Sequence, residues 1–295
     1  MKILLTGATG FIGSHLRPRL EASGHAVRVV SRRPGADFDW SDASLARGVR
    51  ETDAVIHLAG ESLFDKRWNA KRKEVFRSSR VDTTRQLARL VAQRKPACFL
   101  SASAIGWYGT SETAVFDERS ARGSDFLADL CGDWEEATEA AVEAGVRTCR
   151  VRICVVLGEG GGALGKMLPF FRLGIGGPLG SGRQWVSWVH LDDLCALFEF
   201  LLGNARASGS FNGTAPNPVT MREFARALGR VLHRPSGLAV PAPILRLTVG
   251  EVAEVLVTGQ QVLPRRVEEA GFRFEHPEIE PAFASLLGRK EKVAS

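Results

Sequence analysis

The sequence predicts an α/β fold in which a doubly wound parallel sheet carries helices on both faces. Three observations lead to this class. Short β-rich runs alternate with longer helical patterns over the first 155 residues, a glycine triplet follows the first run, and the run at residues 54–58 is almost continuously apolar. Alternating strands and helices are typical of parallel sheets, and strands buried on both faces have this apolar composition.

Each element follows from its local pattern. Six strands are predicted at residues 2–6, 26–31, around Phe38, 54–58, 98–103 and 146–156. Helices are predicted between them at 11–22, 69–93 and 124–144, where Pro96 and Gly145 provide the end signals of the last two. Further on, we expect a helix at 163–173 between glycine-rich loops, a strand at 184–190 that returns to the sheet, and helices at 192–202, 221–232, 243–258 and 265–270.

Composition excludes several classes of protein. The chain has 295 residues, 44% of them hydrophobic, and no stretch approaches the roughly 20 apolar residues that cross a bilayer. The apolar run near Met1 is too short for a signal peptide, so a cytoplasmic protein is expected. The net charge of +6 comes from scattered clusters, such as that at residues 289–292, without interleaved aromatics, so no nucleic acid or membrane partner is predicted.

The five cysteines indicate packing residues rather than a metal centre. Their number is odd and no pair has CxxC spacing. Reduced, buried cysteines are the ordinary state in a cytoplasmic protein. We therefore predict no metal site.

The glycine triplet predicts a diphosphate-binding loop. It lies between the first predicted strand and the first predicted helix, where glycine permits a tight turn, close approach of a diphosphate and close helix packing. The helix N-terminus directs its partial positive charge at the same place. The residues predicted to contact a dinucleotide here are Gly7, Thr9, Gly10, Phe11, Ile12 and Gly13.

The end of the second strand predicts which dinucleotide binds. An acidic residue at this position accepts hydrogen bonds from a ribose 2′-hydroxyl, whereas this chain has Ser31, Arg32 and Arg33. A guanidinium binds a 2′-phosphate in bidentate fashion. The sequence therefore predicts NADP(H), with two solvated surface arginines as the alternative interpretation.

These motifs place the chain close to a known family. With these motifs and the segments 57–60, 101–109 and 188–193, the chain resembles the extended short-chain dehydrogenase/reductase family. It most resembles an epimerase-like branch of that family. The features of this branch are Trp134-Glu135, a glycine-rich segment at 156–164 and a small C-terminal domain of unknown function. The resemblance implies a Rossmann-type domain at residues 1–216, with an insert at about 158–183, and a mostly helical substrate domain at 217–295.

The resemblance also implies further cofactor contacts. It places the backbone of Leu58, Ala59 and Gly60 along the adenosine-ribose side of the cofactor, and Glu61 on the substrate side. It places Ser101 and Ser103 near the nicotinamide, with Arg152 beside them.

The chain departs from this family at the catalytic Tyr-x-x-x-Lys pair. The tyrosine position falls at Leu127 and the lysine position at Cys131, and the single tyrosine, Tyr108, belongs to another segment. Ser103 and Tyr108 are the predicted catalytic replacements, and structural roles for both remain open. Glu61, Glu135 and His190 are further catalytic candidates. Trp107, Trp185 and Trp188 form either an aromatic wall over the cofactor or part of the core. Arg183 and Gln184 are candidates to face the pocket.

Three functions remain open at this point. The first hypothesis is an NADP(H)-dependent oxidoreductase acting on a small carbonyl or alcohol. The second is an epimerase or dehydratase of a nucleotide-activated sugar, and the third is an NADPH-sensing binding module without turnover. The expected partner is a small-molecule substrate of unknown identity, and a homodimer is a further option.

Overall fold

The computed structural model describes residues 1–288, so residues 289–295, including the basic cluster of the tail, lie outside the described residues. In chain order the strands are β1 (Lys2–Thr6), β2 (Ala26–Val30), β3 (Ala54–His57), β4 (Cys98–Ala104), β5 (Val115–Phe116), β6 (Thr148–Ile153), β7 (Val155–Leu157), β8 (Trp185–Val186), β9 (Trp188–His190), β10 (Gly209–Gly213), β11 (Val219–Thr220) and β12 (Gln261–Val262).

The helices follow the same order. They are α1 (Gly13–Ala22), α2 (Asp42–Arg50), α3 (Ala70–Arg77), α4 (Thr83–Arg94), α5 (Phe126–Glu136), α6 (Glu139–Glu143), α7 (Gly162–Arg172), α8 (Leu191–Gly203), α9 (Met221–Val231), α10 (Ala242–Val249), α11 (Val252–Val257), α12 (Arg265–Glu269) and α13 (Ile279–Leu287). A wide π-helical turn, Ser78–Asp82, joins α3 to α4, and a 3-10 turn, Ile105–Tyr108, follows β4.

Six parallel strands form the main sheet, in the order β10-β6-β4-β3-β1-β2. The chain runs from β1 to β2 on one side and then to β3 on the other, so the strand order reverses at β1. Ligands of such sheets bind at this switch point, outside the carboxyl ends of the strands. The register pairs Thr6 with His57 and His57 with Ser101, which brings the ends of β1, β3 and β4 to the same edge. The predicted fold class is confirmed.

The sheet differs from the prediction at three places. Phe38 forms a single parallel bridge with Val30 instead of a strand. The sixth strand, β10, was not predicted because its composition, Gly-Ser-Phe-Asn-Gly, has the character of a loop. The predicted strand at 184–190 is wrong as a member of the main sheet. It forms β8 and β9, which pair with β11 and β7, because the hydroxyl of Ser187 bonds Gln260 and Val262 in the C-terminal region.

Several predicted elements are interrupted. The strand at 146–156 breaks between β6 and β7, and the helix at 69–93 contains the π turn. The helix at 124–144 breaks near Thr138, whose hydroxyl donates to the Glu135 carbonyl. The helix at 243–258 divides at Gly250, whose positive φ of 69° an α-helix does not accommodate.

The core has one layer on each face of the sheet and a third part in the C-terminal half. The third part joins α7, Trp188, α9 and α13 around the packed rings of Phe224 and Phe283, so the C-terminal region and the 158–183 insert share apolar packing. Thr220 and Glu223 form a capping box that fixes the start of α9. Within residues 1–288, the helices are too short or too polar to cross a bilayer.

Candidate functional site

The loop after β1 is shaped by two glycines. Gly7 has a φ of 72°, and a Cβ there would lie 2.6 Å from the carbonyl carbon of Leu58. A Cβ on Gly13 would lie 2.2 Å from the Gly7 carbonyl oxygen. Since both contacts involve backbone that cannot swing aside, only glycine fits at either position. The close approach keeps the start of α1 directly over the ends of β1 and β3.

The N-terminus of α1 is left open towards this edge. No side chain within residues 1–288 caps it at Ile12, and its first turn has no acidic residue. Thr9 and Gly10 are exposed in front of it. Uncapped backbone N–H groups at a helix N-terminus, with a glycine that admits close approach, fit a diphosphate.

Phe11 connects this loop to the segment after β7. A Cβ on Gly158, Gly161 or Gly162 would lie within 3.0 Å of the Phe11 ring. These glycines therefore make room for the ring, which explains the glycine-rich segment at 158–162 as a packing feature. The edge of His15 also contacts the Phe11 ring, with centroids 5.8 Å apart.

The end of β2 presents two arginines to solvent. Arg32 and Arg33 are exposed, and neither guanidinium forms a hydrogen bond or ion pair with any residue of the described chain. Their neighbour Arg28, by contrast, donates to Asp37 at 2.9 Å. The Ser31 hydroxyl accepts from the Arg33 backbone N–H and holds the turn. Two cations without partners among the described residues thus lie where the sequence predicts a 2′-phosphate.

The end of β3 is held by a buried chain of hydrogen bonds. The Thr6 hydroxyl accepts from the Ala59 N–H at 3.2 Å and lies 2.7 Å from His57 Nδ1. His57 Nε2 lies 2.9 Å from the Thr84 hydroxyl, which also accepts from the Trp134 indole. Burial lowers the pKa of His57 to about 4, so the ring is neutral at pH 7. This chain fixes the backbone at Leu58–Gly60.

Glu61 lies at the same edge, but its carboxylate is occupied. It accepts from both terminal nitrogens of Arg72 at 3.2 Å. Its carbonyl oxygen accepts from Arg80, and its N–H donates to Ser79. Glu61 therefore fastens the loop after β3 to the helix that follows.

The end of β4 carries the two predicted serines, both buried. The Ser103 hydroxyl donates to Glu135 Oε1 at 2.7 Å, whereas the Ser101 hydroxyl donates to the Ala102 carbonyl at 3.2 Å. Ser103 therefore has a fixed orientation set by α5, while Ser101 bonds only locally.

Glu135 and Arg152 form a buried bidentate ion pair. Arg152 Nε and Nη2 donate to the two carboxylate oxygens at 2.7 and 2.9 Å, and the Arg152 side chain is 4% exposed. Ser210 donates to the same carboxylate at 3.0 Å. The guanidinium also lies 4.0 Å from the centre of the Trp107 ring. Burial of such a pair is tolerated because its hydrogen bonds are satisfied. Arg152, predicted to contact the cofactor, is directed into this pair.

Tyr108 belongs to the same network. Its hydroxyl accepts from Arg152 Nη1 at 2.9 Å and donates to Asn212 Oδ1 at 2.8 Å. Burial raises the pKa of Tyr108 to about 12. The hydroxyl is thus protonated at neutral pH and enclosed by the chain's own groups. We name Ser103, Glu135, Arg152, Tyr108 and Asn212 the buried polar network.

The family's tyrosine and lysine positions lie beside this network. Leu127 and Cys131 on α5 both face Gly106, where a Cβ would lie 3.1 Å from the Leu127 Cβ and 3.4 Å from the Cys131 sulfur. Burial raises the pKa of the Cys131 thiol to about 12, so the thiol stays protonated. Neither side chain supplies the charge of a lysine.

His190 lies at the start of α8. Its Nδ1 accepts from the Asp192 N–H at 3.1 Å, and its ring stacks on His276 with centroids 3.8 Å apart. His190, Asp192 and His276 bring one ligand atom each within 4.8 Å of one another. The positive end of α8 disfavours a cation here, and Nδ1 already accepts the capping hydrogen bond. The arrangement describes a helix cap.

The remaining candidates of the sequence are mainly structural. Trp188 is fully buried in the C-terminal core, whereas Trp107 and Trp185 are partly exposed. The Gln184 amide donates to the carbonyls of Leu179 and Leu256. The glycine-rich loop at 174–182 is tied to the segment 238–240: a Cβ on Gly177 would lie 2.1 Å from the Leu238 carbonyl oxygen.

Sequence reasoning missed four residues at this edge. Thr6 and Thr84 complete the His57 chain, Arg72 pairs with Glu61, and Arg80 is enclosed beneath Gly60. Within a long helical pattern these two arginines have the composition of a solvated face. A hydroxyl at the end of the first strand was the one available signal for Thr6.

The fold and this edge together define a dinucleotide-binding protein of the extended short-chain dehydrogenase/reductase type. More specifically, the chain belongs to the NAD dependent epimerase/dehydratase family, whose model matches residues 3–212. Residues 240–286 match a domain of unknown function, DUF1731. The predicted family resemblance, including its C-terminal domain, is confirmed.

The relatives cover nearly the whole chain. It is 43% identical to the chloroplastic SDR39U1 homolog of Arabidopsis thaliana, an epimerase family protein, over 97% of this chain and 87% of the relative. It is 40% identical to epimerase family protein SDR39U1 of Bos taurus, over 97% of this chain and 100% of the relative. The crystal structure of human SDR39U1 (isoform 2) with NADPH superimposes with a TM-score of 0.93 at 36% identity, over 98% of this chain and 99% of that one.

Proposed function

We propose that this protein is an NADP(H)-dependent oxidoreductase that acts on a small carbonyl or alcohol substrate. The observation that carries the proposal is the pair of guanidinium groups of Arg32 and Arg33, which have no partner within residues 1–288 and lie beyond the uncapped N-terminus of α1. A phosphorylated dinucleotide satisfies both features at once. The NADPH in the structure of the human relative supports this choice of cofactor.

The proposed chemistry uses the hydroxyl at the end of β4. A bound nicotinamide supplies or accepts a hydride, and the protein must position the substrate oxygen and manage its proton. Ser103 is our first candidate because Glu135 fixes its orientation at 2.7 Å. Tyr108 is the second candidate, but its enclosed hydroxyl and raised pKa favour a positioning role within the buried polar network.

A second function is favoured by one observation. Leu127 and Cys131 occupy the positions of the family's proton-transfer pair, and neither carries out that chemistry. An NADPH-sensing module without turnover accounts for this directly. The same substitutions count more strongly against a nucleotide-sugar epimerase or dehydratase, because that cycle requires repeated proton transfer at the sugar.

Turnover assays separate these functions. The purified protein is incubated with NADPH and a panel of aldehydes, ketones and quinones, and the loss of NADPH absorbance is followed. We expect turnover that Ser103→Ala lowers by about 100-fold, the usual contribution of a positioned proton-transfer group. The matched control, Ser208→Ala, changes an exposed serine just before β10, at the opposite end of the strands from Ser103, and leaves the rate unchanged. Tight NADPH binding without turnover on any substrate would favour the sensor.

The proposal also covers the compartment, the partner and the oligomeric state of the protein. We propose a cytoplasmic enzyme whose partner is a small molecule rather than nucleic acid or membrane, with a homodimer as a further option. One relative is named chloroplastic, so the compartment is best established for this chain by fractionating the source cells. Light scattering of the purified protein gives its oligomeric state.

A further inference from the structure

The π-helical turn between α3 and α4 places an unusual arginine. A π turn widens the helix by one residue, and such turns are frequent at functional sites. Arg80 lies in the middle of this turn, Ser78–Asp82. Its side chain is partly buried, whereas those of Arg77 before the turn and Arg85 after it are exposed.

Arg80 is partly buried, and within residues 1–288 its guanidinium donates to backbone carbonyls rather than to a carboxylate. Its Nη2 donates to the Glu61 carbonyl at 2.8 Å, its Nη1 donates to the Phe76 carbonyl at 3.4 Å, and its guanidinium lies 5.3 Å from the Trp134 ring. Within residues 1–288 it forms no direct ion pair; the nearby Glu61 carboxylate is paired with Arg72, and its charge acts on Arg80 only at longer range. Burial lowers the pKa of Arg80 to about 10, so the group is still cationic at neutral pH.

The location of this cation is specific. A Cβ on Gly60, just after β3, would lie 3.4 Å from the Arg80 guanidinium carbon. On its other side, the Arg80 guanidinium lies 5.3 Å from the ring of Trp134 on α5, about one helical turn from Cys131, and Cys131 itself lies under Gly106 at the end of β4. Arg80 therefore lies between the loop after β3 and α5, the helix that carries the residue at the family's lysine position.

We propose that Arg80 supplies, from the helix after β3, the positive charge that α5 lacks at Cys131, and that it thereby favours the reduced cofactor over the oxidised one. The inference rests on the proposed binding of NADP(H) but does not require turnover. The nicotinamide ring carries a positive charge in NADP⁺ and none in NADPH. A fixed cation in a poorly solvated site therefore repels the oxidised ring and leaves the reduced ring unaffected.

Equilibrium binding tests this charge effect without any substrate. The dissociation constants of NADPH and NADP⁺ are measured by calorimetry for the wild-type protein, Arg80→Met, Arg80→Lys and Arg85→Met. We expect the wild-type protein to bind NADPH at least about tenfold more tightly than NADP⁺, and Arg80→Met to lose most of that ratio. Arg80→Lys keeps the charge and most of the ratio. Arg85→Met removes an exposed arginine from the same helical segment and keeps all of it.

Each outcome decides the matter. An unchanged ratio in Arg80→Met overturns the inference, and so does a wild-type protein that binds both forms equally, which is the deciding measurement if Arg80→Met does not fold. Wild-type protein that takes up neither coenzyme overturns the proposed function as well. Tight, NADPH-selective binding without turnover removes the enzyme proposal and keeps the inference about Arg80.

Discussion

The two halves of the crevice are built in opposite ways. On the side of β1 and β2, the groups that await a ligand are backbone N–H groups and exposed arginines without partners in the described chain. On the side of β4 and β6, the polar side chains are already bonded to one another, from Ser103 through Glu135 and Arg152 to Tyr108. The first half is completed by a ligand, whereas the second half is complete without one. The first half should therefore respond to mutation mainly through cofactor affinity and the second mainly through stability, with Ser103, our proposed proton-transfer residue, as the member of the second half that also affects turnover.

The largest expected effect is on the buried ion pair. Glu135→Ala leaves the Arg152 charge without its partner, and we expect a loss of about 3–5 kcal/mol in the free energy of unfolding. Urea denaturation measures it, with Glu136→Ala, an exposed neighbour on α5, as the control. The double variant Glu135→Leu/Arg152→Met should recover part of the loss. Equal stability of the Glu135 and Glu136 variants would contradict the role of the pair.

The next effect belongs to the other half. Arg32→Ser/Arg33→Ser removes both of the cations that lack a partner in the described part of the chain, and each charge-assisted hydrogen bond contributes about 1.5 kcal/mol. We expect the Kd of NADPH to rise about 100-fold and that of NADH to stay constant. Calorimetry measures both, with Arg28→Ser, an arginine already paired with Asp37, as the control. A parallel loss for the two coenzymes would show that these arginines do not read the 2′-phosphate.

The third prediction concerns the pH dependence of stability at His57, which ends β3, the strand between the two halves. Its pKa is about 4 in the folded protein and 6.5 ordinarily, so the neutral ring favours folding. The pKa is depressed, so this stability is fully present above about pH 6.5 and is lost as the pH falls towards 4. Between pH 7 and pH 5 the wild-type protein should lose about 2 kcal/mol more than His57→Gln. Urea denaturation at both pH values measures this, and identical pH profiles would refute it.

The smallest expected effect is at Tyr108. Tyr108→Phe keeps the ring stacked on Phe116 but leaves Arg152 Nη1 and Asn212 Oδ1 without their bonds. We expect a loss of about 1–2 kcal/mol in unfolding free energy. The Kd of NADPH should change less than twofold. A large loss of affinity with unchanged stability would place Tyr108 in the ligand-binding half instead.

This contrast also explains what the sequence could predict. The groups on the β1 side act through the backbone and through local spacing. Gly7, Gly13 and the arginines after β2 could therefore be predicted from their spacing in the sequence. The buried polar network joins residues 103, 108, 135, 152 and 212, whose meeting depends on the register of β4, β6 and β10. The strand β10 was itself not predicted. Arg80 was missed because it lies in a π turn, which leaves no compositional signal.

The packing shared by α7, α9 and α13 has a consequence for how the family evolves. Two separate family models match this chain, yet Phe224, Phe283 and Trp188 form one apolar cluster with the insert. Removing α9 and α13 would uncover the apolar side of α7, so neither the insert nor the C-terminal region can be lost alone without exposing apolar surface. The insert and the C-terminal region should therefore be kept or lost together in evolution. A natural relative that lacks one should also lack the other.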